Sequence, residues 1–201
     1  MGVWNLDAQF LSKAPTTVFT DTFETFTGWV TVGSGVVSQS SAQAYEGSFS
    51  ALKSTNDDPN GAYKLLTETV NRHYLMDVWL YSVEPRAGGG SDRMAVVDSS
   101  GNGYGFLTGG TTFRVERRNS YSGVEITSTT FTRPSNAWFR LSLQAFPDNT
   151  FSLIARDSSG ATLASLTSSA DATHSGPFDR VAILGGRNYH VDNLVVKKFN
   201  T

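Results

Sequence analysis

The side chains of this chain that could move protons or hold a cation are eighteen acids and three histidines, and their spacing limits the chemistry open to them. Glycoside hydrolysis needs two carboxylates across the scissile bond, ~5–5.5 Å apart for retention and further apart for inversion. Residues i and i+4 of a strand share a face but lie roughly 13 Å apart, so a catalytic strand must carry closely spaced acids. No such run exists here. Asp57-Asp58 is expected to stand in a Pro-Asn-Gly turn, and Glu116 is alone between Arg114 and Arg118. His73, His174 and His190 are scattered, without the short His-x-x-x-His spacing of a zinc site. No Gly-x-Ser-x-Gly elbow exposes a serine nucleophile. Gly101-Asn102-Gly103-Tyr104-Gly105 has the glycine content of a nucleotide loop, but no helix follows it, so that reading fails its own context.

Binding chemistry fares better than catalysis. A glycan platform needs aromatic faces for sugar C–H surfaces and fixed polar groups for hydroxyls. A period-two reading supplies such faces on three strands. Asp77, Trp79 and Tyr81 share one side; so do Arg114, Glu116 and Arg118; so do Trp138, Arg140, Ser142 and Gln144. The opposite sides are apolar: Met76, Val78 and Leu80; Phe113 and Val115; Phe139, Leu141 and Leu143. The apolar sets are expected to form the core. The outward sets are either a solvated face or a recognition surface carried by Trp79, Tyr81, Arg118, Trp138 and Arg140.

The elements that position these residues are β-strands. From Val18 onward, short runs rich in β-branched, aromatic and aliphatic residues alternate with Gly, Asn, Asp and Ser clusters. The runs are Leu75 to Tyr81, Arg93 to Val97, Thr112 to Arg118, Phe139 to Ala145, Phe151 to Arg156, Arg180 to Leu184 and Val191 to Phe199. Asp98-Ser99-Ser100-Gly101 and Asp157-Ser158-Ser159-Gly160 are two copies of one turn, with Asp bonding its own backbone and Gly supplying positive φ. Ala87 to Ser91 reads as a flexible loop. Residues 1–18 read as an N-terminal arm, either a short helix over 3–13 or a docking segment that carries Trp4, Leu6 and Phe10 to a neighbouring protein subunit; Ala14-Pro15 ends any helix there. Residues 19–201 form one domain, an all-β, two-sheet antiparallel jelly-roll β-sandwich. The acidic-apolar segments Asp21 to Trp29 and Tyr189 to Val196 predict that the first and last strands pair.

Composition narrows the partners. With 201 residues and no cysteine, the domain needs no staple and has neither disulfides nor thiolate metal sites. A formal charge of −2 with no basic stripe argues against nucleic acid. Met1 to Asp7 lacks the basic and apolar regions of a cleaved signal peptide, and Leu6 stands where myristoylation wants Ser or Thr. No stretch approaches the ~20 apolar residues of a membrane span. A working place in a virion or outside a cell, reached without a cleaved leader, is the expectation.

The order of the motifs is similar to that of known families. Phe19 to Glu24, Gly28-Trp29, Ala44 to Lys53 and Val191 to Val196 resemble the first, second and last strands of jelly-roll carbohydrate-binding modules. Ala95 to Phe106, Phe113 to Arg118 and Trp138 to Leu141 are similar to the laminin-G and concanavalin-A-like lectin and glucanase group. The resemblance covers residues 19–199 and implies a jelly roll that binds a glycan or cell-surface polysaccharide. It also implies structural calcium, because Glu24, the Glu46-Gly47-Ser48 turn and Asp192 stand where such modules share the ion; the other reading makes both acids surface groups beside Lys197 or Lys198. The glucanase branch carries a Glu-x-Asp-x-x-Glu run that is missing here, which leaves glycoside hydrolysis as the lesser alternative beside a free carbohydrate-binding module. The Ser-, Thr- and Gly-rich strands and the arm resemble phage decoration, fibre or tail proteins.

Overall fold

The computed structural model describes residues 14–55, 57–83, 91–186 and 188–200. The helix over 3–13, the docking residues Trp4, Leu6 and Phe10 and most of the 87–91 loop lie outside those residues. Strands begin with β1 (Thr16–Asp21), β2 (Val30–Val32), β3 (Val37–Ser40), β4 (Ser50–Lys53) and β5 (Asp57–Val70). They continue with β6 (Tyr74–Ser82), β7 (Asp92–Val97), β8 (Gly103–Gly109), β9 (Thr112–Asn119) and β10 (Ser122–Thr130). The remainder are β11 (Trp138–Ala145), β12 (Phe151–Asp157), β13 (Thr162–Thr167), β14 (Phe178–Gly185) and β15 (Tyr189–Lys198). Because β1 starts at Thr16, the sandwich begins inside the segment read as an arm; Thr16 and Thr17 pair with Lys198 and Lys197.

Two antiparallel sheets face each other. The first runs β13-β12-β11-β6-β15-β4-β3, with β1 also on β15, and the second runs β10-β9-β8-β7-β14-β5-β2. The first and last strands do pair, Phe19 opposite Val196 and Asp21 opposite Leu194. The fold is therefore the jelly-roll β-sandwich expected, and no helix of the described residues is long and apolar enough to cross a membrane.

Alternation builds the core. β6 reads buried and half-buried by turns along its whole length, with Met76, Val78 and Leu80 inward. Phe139, Leu141 and Leu143 of β11 and Phe113 and Val115 of β9 are fully buried in the same cluster. Burying side chains of this size stabilises by about 1.5–3 kcal/mol each.

The opening acidic segment is part of this packing. Asp21 accepts from the backbone N–H of Phe23 (2.8 Å), the Trp29 indole (3.1 Å) and Lys64 Nζ (2.8 Å), which folds Phe23 and Trp29 into a stack beside Phe26. Both repeated turns form as read. Asp98 Oδ1 accepts from Ser100 and Asn102, and Asp157 Oδ1 from Ser159 and Ala161. Gly101 and Gly160 hold φ of 78° and 89°.

Candidate functional site

β6 and β11 are antiparallel neighbours, and this register assembles most of the residues singled out from the sequence. Trp79 lies opposite Arg140, Tyr81 opposite Trp138 and Asp77 opposite Ser142. All six point away from the core. Arg140 Nε donates to Asp77 Oδ1 at 2.8 Å and its Nη2 to Asp77 Oδ2, while Ser142 Oγ donates to Asp77 Oδ1 at 3.0 Å. The Tyr81 and Trp138 rings meet at 5.5 Å, tilted by 56°.

A residue that sequence reasoning did not place in the site completes it. Tyr45, in the loop between β3 and β4, lays its ring on Trp79 with centroids 3.8 Å apart and planes 13° from parallel, and it meets Trp138 edge-on at 5.8 Å. One face of Trp79 is thus already covered. Tyr45, 38% exposed, becomes with Trp138 the outer aromatic surface. A cavity of about 400 Å³ opens there, lined by Tyr45, Glu46, Asp77, Trp79, Arg140 and Asn193. Thr20 and Val195, paired across β1 and β15, complete its wall.

Arg118 belongs elsewhere. It lies on β9 in the second sheet and is fully buried, donating to Glu116 Oε2 at 2.6 Å and to the Tyr121 carbonyl at 2.8 Å. Arg114 also pairs with Glu116, so both arginines that flank this acid in the sequence engage it. Period two gives the side of a strand on which a residue lies, but not the sheet to which the strand belongs.

The acids expected to share calcium converge on the loop that carries Tyr45. Asp192 Oδ2 accepts from the backbone N–H of Tyr45 (2.8 Å) and Glu46 (3.2 Å), and Asp192 Oδ1 from that of Asn193 (2.7 Å). Glu24 Oε1 accepts from Ser48 (2.8 Å) and Phe49 (3.0 Å). Asn193 Nδ2 donates to Glu46 Oε2 at 2.8 Å. Gly47, at φ 72°, is required between them, since a Cβ there would come within 2.3 Å of Glu24 Oε1. Calcium takes oxygen ligands, whereas this turn offers N–H groups to both carboxylates. In this arrangement the contacts between both acids and the 46–48 turn run through its N–H groups. Among the described residues, no group of three or more His, Cys, Asp or Glu is placed to hold a metal. Asp192 is fully buried rather than a surface acid, and burial raises its pKa above the ordinary carboxylate value, with the Glu24 charge adding to the shift.

Beneath the aromatic group, His190 packs edge-on against Tyr81 at 6.1 Å. Ser50 Oγ donates to the Gln43 carbonyl (2.5 Å), so it accepts from His190 Nδ1–H at 2.9 Å. Burial pushes the His190 pKa down to about 4, which keeps the ring neutral at ordinary pH. Both groups are buried, and their hydrogen bonds anchor the base of the loop.

No family model matches the chain. It is 33% identical over 181 residues, 89% of its length, to an uncharacterized protein of Methanocaldococcus jannaschii, MJ1394. The chain spans only 18% of that relative. Among solved structures it is similar to the CBM2 module of the evolved Dit protein of Lactobacillus casei BL23 phage J-1, with a TM-score of 0.64, 10% identity and coverage of 93% of this chain and 97% of that one. Winged bean acidic lectin, solved with methyl-α-D-galactose, gives a TM-score of 0.63, 8% identity and coverage of 93% and 100%. The fold is that of lectins and carbohydrate-binding modules. An enzyme shares it as well: endo-β-1,4-glucuronan lyase of the fungus Trichoderma reesei aligns with a TM-score of 0.57, 14% identity and coverage of 91% and 96%.

Proposed function

We propose that the chain is a non-enzymatic β-sandwich that binds glycan and is displayed on a larger assembly, such as a virion, as a decoration, fibre or tail component touching neighbouring subunits. The observation that carries the glycan reading is the Tyr45–Trp79–Trp138 group beside the Arg140–Asp77 pair at one open cavity. Aromatic faces take the apolar side of a sugar ring, and a planar charged pair takes its hydroxyls. The resident carboxylates are committed, Asp77 to Arg140 and Ser142 and Glu46 to Asn193, which favours binding over hydrolysis or elimination. Display is supported by the much longer relative, in which the matching segment is one part of a large protein, and by the likeness to a module of a phage protein. The reading needs no cofactor.

A shallow site of this kind gives roughly millimolar to micromolar affinity, about −4 to −8 kcal/mol, and many copies raise it by avidity. Tyr45→Ala and Trp138→Ala are expected to cut glycan-array signal at least about tenfold, as loss of an aromatic contact worth more than ~1.4 kcal/mol does, with little change in melting temperature. Unchanged signal in both variants, with the parent bound, would remove this surface from recognition.

A further inference from the structure

The cavity holds an excess of negative charge, which restricts what it can accept. Its lining includes two carboxylates, Glu46 and Asp77, and one cation, Arg140. Arg140 is not a free anion receptor. Asp77 occupies its Nε and Nη2 edge and compensates its charge, and Asp77 is further fixed by Ser142. Glu46 is held toward the site through Asn193. The same loop is hydrogen-bonded by two more carboxylates, Asp192 and Glu24. A ligand carboxylate brought to the aromatic face would therefore meet several like charges, and the one guanidinium there already has its charge compensated by Asp77. A hydroxyl meets no such penalty, because it can accept from the remaining Arg140 N–H groups and donate to Asp77 or Glu46.

We infer that this cavity selects uncharged hexopyranosides and rejects uronates, with Asp77 and Glu46 as the residues that determine specificity. The inference rests on the glycan reading above and names its substrate class. Asp77 is the sharper determinant because it holds the guanidinium itself. Asp77→Asn keeps the side-chain shape and an acceptor for Ser142 while releasing the charge of Arg140.

The test is a titration of the parent and variants, followed by tryptophan fluorescence. The probes are neutral hexopyranoside oligosaccharides (gluco-, manno- and galacto-series) and two acidic ones, oligogalacturonate and oligoalginate. The parent should bind at least one neutral series and neither acidic probe. Asp77→Asn should gain about tenfold for the acidic probes, the size of one relieved charge contact near a protein surface. That gain should vanish in ~1 M salt, where the Debye length is about 3 Å. Glu46→Gln, in the exposed loop, should shift the same ratio in the same direction and serves if Asp77→Asn does not fold. Acidic probes bound by the parent as tightly as neutral ones, or an unchanged ratio in both variants, would overturn the charge assignment. A parent that binds none of the probes would instead overturn the glycan reading itself.

Discussion

At the scale of single residues, His190 shows how an isolated titratable group serves structure. Its ring is buried under Tyr81 with Nδ1–H given to Ser50, and its pKa falls to about 4 from 6.5. The unfolded chain therefore binds this proton more readily than the folded one between those values. The contribution of the neutral ring is complete above pH 6.5, is lost as pH falls, and levels off near 4, a change of roughly 3 kcal/mol at most. Thermal melts across that window should show a falling midpoint that flattens in His190→Gln. An equal slope in the variant would assign the loss to other groups. Arg118 makes a related point, since a charged residue at an outward position became a buried partner of Glu116 once its neighbours were in place.

At the scale of elements, the loop between β3 and β4 is the piece that makes the site. Four of its backbone N–H groups end on two carboxylates, Asp192 and Glu24. Losing the charged acceptor of partly buried donors costs about 1.5–3 kcal/mol. Asp192→Ala should lower stability by that amount, weaken the Tyr45–Trp79 signal in near-UV circular dichroism and reduce glycan binding. Since the turn faces its acids with donors, a chelator should leave the melting temperature unchanged. A chelator-induced fall restored by Ca²⁺ would show that the turn rearranges around an ion. Some elements were invisible in the sequence for a physical reason. β10 and β13 are edge strands, exposed along most of their length, so no apolar alternation marks them.

At the scale of the whole molecule, the last strand organises the first sheet. β15 pairs with β6 on one side and with both β4 and β1 on the other, and it brings Val191, Leu194 and Val196 to the core. It also delivers Asp192 and Asn193 to the site, so folding and recognition share this element. A chain ending before Tyr189 should lack cooperative unfolding by circular dichroism, because β1, β4 and β6 lose their common partner and the core loses several fully buried side chains. A cooperative melt from that truncation would mean that the second sheet folds independently of the first.

The sequence by itself determined which side of each strand is apolar, where the repeated turns fall, and that the two ends of the chain pair. Each of these depends on residues adjacent in the chain or on simple alternation, and local sterics and burial act at that range. Tertiary structure alone decided which strands lie side by side. It put Arg140 and Trp138 beside Trp79, sent Arg118 to the opposite sheet, and laid Tyr45 over Trp79 by tying its backbone to Asp192, 147 residues away. No periodicity encodes a contact of that separation. It exists because the two sheets bury one common core, and closing that core brings the β3–β4 loop against the end of the chain.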